Sequence, residues 1–326
     1  MKTLLRVALV VALAVSMGCG DSDTSAKGPG GAKAAAKGKV GMTCMDLTNP
    51  FFKLIGDVMK LEAEKHGYDV ICTGANNQAS KQNDQIADFI AQGCKAIFLN
   101  PADSKAAGAG VKKAHAAGIP VFTFDVQVTD EEAAKLVVSH IGSDNYQGGQ
   151  LAAKSMIDAV GNEGKIAVIS HPEVTSCILR VDGFKDYLKE KKSGLQIVVE
   201  LPGKGNRIDA NRTVTDILQG HKDIVGIFAI NDPSALGAYA AVVKAGKEKS
   251  IVVIGFDASP AGKQAVFEKK LYDSPQQFPR KMATGTVEAF IKHLEGEEIA
   301  KKVFIPCAHY KFDTSVKDES RVKEQW

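Results

Sequence analysis

The chain has 326 residues, which is enough for two domains with their own hydrophobic cores. Its 41 lysine and arginine residues nearly balance its 38 aspartate and glutamate residues. A nucleic-acid-binding protein needs a clustered basic surface, and no run of this sequence is basic enough to supply one. The composition therefore indicates a globular protein with no nucleic-acid partner.

The N-terminus has the pattern of an export signal. Lys2 and Arg6 precede a short apolar run from residue 7 to residue 15, and small residues lead to Cys19. The segment SMGCG resembles a bacterial lipobox, although an ordinary cleavage site beside an incidental cysteine is the alternative. Residues 19–38 are rich in Gly, Ala and Lys, which is typical of a flexible tether. We expect a signal peptide over residues 1–18 and a lipid anchor on Cys19.

The remaining cysteines give no sign of a metal site or a disulfide framework. They are odd in number and scattered, without a C-x-x-C pair, and the histidines are dispersed as well. Cys44 and Cys72 could pair on neighbouring strands of an exported protein, or could be small buried hydrophobic residues. We therefore expect no metal and no cofactor.

Short apolar runs alternate with helical stretches from Lys39 onward. Near-continuous apolar strands separated by helices are typical of βαβ units around a buried parallel sheet. The first half is predicted to contain strands at 39–45, 68–74, 95–100 and 119–125 and helices at 50–66, 80–92 and 104–118.

The pattern then starts again after a helix predicted at 147–160. The second half is predicted to contain strands at 165–170, 195–201, 225–231 and 250–257 and helices at 183–194, 210–221 and 234–246. Self-similarity over such a long period indicates two similar lobes, each an open α/β sheet.

The repeat also aligns polar residues. Asn100 and Asn231 follow equivalent strands, and Asp125 and Asp257 follow the last strand of each series. Ligands of open α/β sheets bind beyond the carboxyl ends of the strands, so two facing lobes would bring these side chains into one cleft. Helix capping is the alternative, because Asn49 and Asn100 stand directly before a proline. The matched set in both halves favours the cleft.

No catalytic or nucleotide-binding motif is present. The sequence lacks G-x-G-x-x-G, the P-loop and the G-x-S-x-G elbow, and the GKGNRI segment at 203–208 is only a weak match. Acid–base pairs of Asp125 with His140, or of Asp257 with His309, have no spacing that would orient them. We expect a binding protein and not an enzyme.

Two adjacent aromatic residues, Phe51 and Phe52, stand at the junction of the first strand and helix. Aromatic faces suit the C–H surface of a small ring, and amide, carboxylate and guanidinium groups form paired hydrogen bonds with hydroxyls. The combination favours a neutral polyol as ligand. Packing beneath the first helix is the alternative role for one or both rings.

Five segments together resemble the type I periplasmic sugar-binding proteins of ABC transporters, and the ribose-binding group most of all: LTNPFF, NPADSKAAGAGVKKAHAAGIPVFTFD, VVSHIGSDNYQGG, FAINDPSALGA and VVIGFDASPAG. The similarity runs in order from about Lys39 to about Gly296. It implies an α/β fold of two similar open parallel-sheet lobes joined by a three-segment hinge. The implied N-terminal lobe comprises 39–139 with 278–303, and the C-terminal lobe 140–277 with 304–326.

The resemblance also implies the ligand-binding residues. Gln276 competes with Gln277 for one position, and the match at Arg180 requires a one-residue gap. The implied set is Asn49, Phe51, Phe52, Asn100, Asp125, Arg180, Asn231, Asp257 and Gln277. Two departures matter: Val126 stands where the group has arginine, and Gly205 where it has an aromatic residue. We therefore predict a sugar or similar polyol without predicting ribose.

The implied function is capture of a monosaccharide between the lobes and delivery to an ABC-transporter permease. The protein is expected to act as a monomer that is held at the membrane only by its lipid anchor. A sugar-sensing module that presents its ligand to a receptor or histidine kinase is the alternative. A repressor of similar architecture would need a DNA-binding helix-turn-helix where this chain has its signal and tether.

Overall fold

The computed structural model describes residues 37–312. The predicted signal peptide, Cys19, nearly all of the predicted tether and the tail from residue 313 lie outside the described residues. Within the described part, the strands are β1 (Gly38–Cys44), β2 (Tyr68–Gly74), β3 (Ile97–Leu99), β4 (Val121–Phe124), β5 (Ser139–Ser143), β6 (Glu163–Ser170), β7 (Gly194–Pro202), β8 (Ile224–Ala229), β9 (Val252–Ile254) and β10 (Lys302–Ile305).

Helices follow most of these strands. They are α1 (Pro50–Lys65), α2 (Ala79–Ala91), α3 (Gly108–Ala116), α4 (Glu131–Leu136), α5 (Asn145–Val160), α6 (Thr175–Glu190), α7 (Arg207–Gly220), α8 (Asp232–Lys244), α9 (Pro260–Phe267) and α10 (Pro279–Glu295). None of the helices between residues 37 and 312 combines the length and the apolar composition that crossing a bilayer requires.

The strands form two open parallel sheets. The first has the order β10-β5-β4-β3-β1-β2 and the second the order β7-β6-β8-β9. Parallel neighbours need crossover helices, and those helices bury both faces of each sheet. This is why the strand sequences are apolar without alternation, and it confirms the predicted α/β class with two sheets.

Each face of the first sheet has its own core. Phe98 and Phe122 pack edge to face against Phe290 of α10, with ring centroids 5.7 and 6.1 Å away. Their neighbours Ile97 and Leu99 point to the opposite face, which α2 and α3 cover. Burial of both faces fixes the strand register, and with it the edge at which the strands end.

The second sheet is buried in the same way. Phe184 of α6 stacks on Phe228 of β8, with centroids 4.6 Å apart. The opposite face is covered by α7, α8 and α9. Both sheets belong to one compact unit.

The chain passes between the sheets three times. Strands β5 and β10 pair with each other, His140 opposite Lys302, and both belong to the first sheet. The expected boundaries at 139/140 and 303/304 therefore fall inside strands, and the crossings lie beyond Ser143 and Ile305. The segment SHIGS lacks the apolar run of a central strand, so the sequence pattern did not reveal β5. The middle crossing precedes α10, next to Gln277.

Candidate functional site

A cavity of about 330 Å³ lies at the carboxyl ends of the strands of both sheets. The first sheet contributes the loop after β1, the start of α1 and the residue after β4. The second contributes the loops after β6, β7, β8 and β9 and the start of α6. The cavity therefore lies at the edge where open α/β sheets bind ligands.

All of the predicted ligand residues except one line this cavity. They are Asn49, Phe51, Phe52, Asp125, Arg180, Asn231, Asp257 and Gln277. The exception is Asn100, which is fully buried behind Asp125. Its Nδ2 donates to Asp125 Oδ2 at 3.0 Å, and its Oδ1 accepts from the Met45 backbone N–H at 3.1 Å. Asn100 thus holds Asp125 in place, which corrects its predicted position on the cavity wall.

The paired phenylalanines lie on the cavity wall and in the core at once. Phe51 and Phe52 are 3% and 4% exposed and belong to the core cluster of the first sheet. Their rings meet edge to face, with centroids 5.3 Å apart and an interplanar angle of 89°. Because both rings also line the cavity, the two roles considered for them are not exclusive.

Two asparagines also have a double role. Asn49 Oδ1 accepts from the Phe51 N–H at 3.0 Å and caps α1. Asn231 Oδ1 accepts from the Ser234 N–H at 2.9 Å and caps α8, while its Nδ2 donates to the Gly205 carbonyl at 2.9 Å. Capping fixes the orientation of both amides at the cavity wall.

The two aspartates after the last strand of each half have a matched geometry. Asp125 has φ +59° and Asp257 has φ +110°, and each is 5% exposed. Positive φ is uncommon for a residue other than glycine, and such residues concentrate at functional sites. The equivalent backbone turns direct both carboxylates to the same cavity.

Arg180 is held by Asp257 and by the scaffold around it. Its Nη1 donates to the Ile230 carbonyl at 2.7 Å and lies 3.5 Å from Asp257 Oδ1. The guanidinium also lies 4.0 Å from the ring centroid of Phe256. Gln277 donates through Nε2 to Asp257 Oδ1 at 2.7 Å. The neighbouring Gln276 pairs through its backbone with Ala308, so the structure favours Gln277 as the cavity residue.

Burial dominates the electrostatics of the site. It raises the pKa of Asp125 to about 7, against the positive charge of Arg180, and the negative charge of Asp257 adds to the rise. Burial raises the pKa of Asp257 to about 6, opposed by Arg180 and by the Gln277 hydrogen bond. Behind them, burial and the Asp257 charge raise the pKa of Asp232 to about 7. One guanidinium therefore faces several buried carboxyl groups.

Two buried acceptors on the cavity wall have no hydrogen-bond partner within the described residues. They are Asp125 Oδ1 and Gln277 Oε1. Leaving a buried acceptor unsatisfied costs about 1–3 kcal/mol, so native structures pair nearly all of them. The site therefore offers acceptors to a guest that carries hydroxyl or amine donors.

Several residues that line the cavity were not predicted from the sequence. Among them are Asn77, His171, Ser176, Cys177 and Asn206. His171 comes directly after β6 and Asn77 lies three residues after β2, so the strand-end rule that found the others could have found them. Burial lowers the pKa of His171, which favours its neutral ring. Two positions differ from the pattern of the ribose-binding group. Gly205 lines the cavity at φ +67°, whereas Val126 is fully buried in the core beside the cavity.

The described residues contain no group of three or more His, Cys, Asp or Glu side chains arranged to hold a metal ion. The five cysteines between residues 37 and 312 are free, so Cys44 and Cys72 are not paired in this structure.

Comparison with known proteins places the chain in a family. The sequence model of the periplasmic binding protein domain matches residues 40–298, which is most of the chain. The chain therefore belongs to the periplasmic binding protein family, whose members bind substrates and are not enzymes. The predicted resemblance to type I periplasmic sugar-binding proteins is confirmed.

Relatives with known ligands agree with this assignment. The ribose import binding protein RbsB of Escherichia coli (strain K12) is 35% identical over 272 residues, covering 83% of this chain and 90% of that protein. The D-apiose import binding protein of Paraburkholderia graminis is 33% identical and covers 80% and 83%. An ABC transporter solute binding protein from Agrobacterium vitis, solved with bound D-fucose, has a TM-score of 0.81 at 30% identity and covers 87% and 99%.

Proposed function

We propose that the cavity binds a monosaccharide or a closely related polyol, which the protein delivers to the membrane permease of an ABC transporter. The observation that carries the proposal is the convergence of buried polar groups from both lobes. Asp125 comes from the first lobe, Asp257 and Gln277 come from the second, and Arg180 lies among them.

The chemistry of the wall fits a sugar ring. Asp125 Oδ1 and Gln277 Oε1 accept hydrogen bonds, and the Arg180 guanidinium donates them. A hydroxyl can donate and accept at once, so a ring with several hydroxyls satisfies both kinds of group. Phe51 and Phe52 offer apolar surface to the C–H faces of the same ring.

The size of the cavity supports one sugar unit. A volume of about 330 Å³ lies near the lower end of the range of about 300–1,000 Å³ for small-molecule sites, which fits a guest as small as a pentose or hexose. The relatives are named for ribose and D-apiose or hold D-fucose. Because Gly205 and Val126 depart from the ribose-binding pattern, the ligand of this chain is to be sought across these sugars.

A thermal-shift screen tests the proposal. The panel comprises D-ribose, D-apiose, D-allose, D-fucose, D-glucose and myo-inositol, each at millimolar concentration. Saturation at a hundred times Kd stabilises a protein by about 2.7 kcal/mol, so the cognate sugar should raise Tm by about 5–10 °C. Calorimetry should then give one site per chain.

Two variants on the same helix make the screen specific. Arg180→Met removes a guanidinium from the cavity, whereas Lys185→Met changes an exposed residue of α6 that pairs with Glu200. The sugar-dependent shift should be lost in the first variant and kept in the second. A panel that leaves Tm unchanged, or equal shifts in both variants, would contradict sugar binding in this cavity.

We further infer that the sugar favours a closed arrangement of the two lobes, because residues from both lobes reach the same guest. A ligand shifts such an equilibrium only by its different affinity for the two states. Small-angle scattering should show a smaller radius of gyration in the presence of the sugar. An unchanged radius at saturating sugar would count against hinge closure.

The membrane attachment is proposed from the sequence alone. The lipobox-like segment before Cys19 and the tether-like composition of residues 19–38 support an exported lipoprotein. Cells that express the full chain should incorporate labelled fatty acid into it, and Cys19→Ser should abolish the incorporation. Equal labelling of both chains would contradict the anchor.

A further inference from the structure

The segment Ser143-Asp144-Asn145 forms the first crossing between the two sheets. It joins the end of β5 to the start of α5, and Asp144 Oδ1 caps that helix by accepting from the Gln147 N–H at 3.0 Å. Asp144 therefore has a local role at the helix start. Asn145 does not line the cavity, and its side chain does not cap the helix.

The Asn145 side chain instead links the crossing to the cavity arginine. It is 3% exposed, its Oδ1 accepts from Arg180 Nε at 2.8 Å, and its Nδ2 donates to the Ser143 carbonyl at 3.0 Å. Arg180 Nη1 bonds separately to the Ile230 carbonyl at the end of β8. Two bonds from different segments therefore fix the plane of the guanidinium.

The helices that carry these residues pack in very close contact. A Cβ atom on Gly149 of α5 would lie 2.0 Å from the Arg180 carbonyl oxygen, and one on Gly183 of α6 would lie 2.0 Å from the Tyr146 carbonyl oxygen. α5 and α6 thus touch backbone to backbone, which only glycine permits. This contact sets the distance between Asn145 and Arg180.

We infer that Asn145 is a positioning residue for sugar binding, which rests on the proposed function of the cavity. It holds the Arg180 guanidinium in the plane from which it faces Asp257 and the guest. Because Asn145 also holds the Ser143 carbonyl, the orientation of Arg180 is tied to the first crossing between the lobes. Without Asn145 the Nε–H of a buried arginine loses its acceptor, and the guanidinium can rotate about its remaining contacts to the Ile230 carbonyl and Asp257.

The first arm of the test needs no sugar. In a ¹⁵N-edited spectrum of the sugar-free protein, the hydrogen-bonded Nε–H of Arg180 should give a slowly exchanging signal that Arg180→Met identifies. Asn145→Ala should shift this signal and speed its exchange. Asn145→Asp keeps an acceptor for Nε and should retain the slow exchange.

The second arm measures affinity for the panel sugar that stabilises the unsubstituted protein. Asn145→Ala should weaken binding about tenfold, the value of one hydrogen bond to a charged group. Adding Asn145→Ala to Arg180→Met should not weaken sugar binding further. An effect that acts through Arg180 disappears once Arg180 has been replaced, so the two losses are not additive. Asp144→Ala is the matched control: it loses the α5 cap and lowers Tm, but should leave both Kd and the Arg180 signal unchanged.

Retention of the slow Arg180 signal in Asn145→Ala would overturn the inference, as would full additivity of the two affinity losses. Loss of the signal in Asn145→Asp as well as in Asn145→Ala would also overturn it. If no panel sugar binds while the Arg180 signal responds as expected, the proposed function fails and the positioning contact remains.

Discussion

Asp125 and Asp257 occupy equivalent positions in the two lobes, but they are held in different ways. Asp257 lies 3.5 Å from a cationic nitrogen of Arg180 and accepts from Gln277. Asp125 accepts from the neutral amide of Asn100 through one oxygen, and its other oxygen has no partner in the described structure. The second-lobe carboxylate is therefore tied to its neighbours, whereas the first-lobe carboxylate keeps one oxygen available to a guest.

This difference predicts opposite effects on stability from the same isosteric change. Replacing aspartate with asparagine keeps the shape of the side chain and tolerates positive φ, but it removes the charge and replaces one acceptor oxygen with an NH2 donor. The two variants, each combined with measurements of Tm and Kd, therefore test whether the two half-sites are really unequal.

The largest effect is expected for Asp257→Asn. It leaves the buried Arg180 guanidinium without the carboxylate closest to it, and breaking a buried ion pair costs about 3–5 kcal/mol. The free energy of unfolding in urea should fall by about 3 kcal/mol, and sugar affinity should fall as well. A stability equal to that of the unsubstituted protein would show that Asp257 is not a structural partner of Arg180.

Asp125→Asn should weaken sugar binding about 10–100-fold, because a hydroxyl loses a charged acceptor. The stability of the sugar-free protein should be unchanged or higher, since burial already raises the pKa of this carboxyl to about 7. Calorimetry and urea unfolding measure the two quantities. A loss of stability as large as that of Asp257→Asn would break the comparison.

The aromatic wall belongs to the first lobe alone, and its effect should be smaller. Phe51→Leu and Phe52→Leu preserve an apolar side chain of similar volume but remove the flat face, so affinity should fall about tenfold with little change in Tm. Alanine at either position should also cost about 3–5 kcal/mol of stability, because both rings are in the core. Unchanged affinity in both leucine variants would assign the rings to packing only.

The smallest expected effect is that stability and sugar affinity depend on pH. The pKa of Asp125, about 7, lies above the ordinary value of a carboxyl, so this group stabilises the folded protein most at low pH. That contribution is lost progressively as pH rises from the ordinary carboxyl pKa of 3.8 to the folded value of about 7. Hydroxyls that donate to the carboxylates favour the ionised form, so sugar binding should release protons and tighten about tenfold from pH 5 to pH 8.

Calorimetry in buffers with different heats of ionisation measures the released protons. Asp125→Asn should flatten the profile, which separates the carboxyl from His171 in the same cavity. Affinity that weakens as pH rises would contradict the predicted direction.

The sequence revealed the strand ends but not the way in which each side chain is used. Asn100 and Asn231 follow equivalent strands, yet of the two only Asn231 lines the cavity. The side chain of Asn100 instead forms hydrogen bonds with the Met45 backbone and with Asp125. Such bonds depend on the spacing of neighbouring strands, which no linear pattern contains. β5 was missed for a related reason, since its burial comes from neighbours and not from apolar composition.

The most direct measurement is a crystal structure with the bound panel sugar. We expect sugar hydroxyls within hydrogen-bond distance of Asp125 Oδ1 and Gln277 Oε1, with contacts from Arg180 and from the Phe51 and Phe52 rings. A sugar bound by one lobe only, or bound away from Asp125 and Gln277, would contradict the proposed binding site.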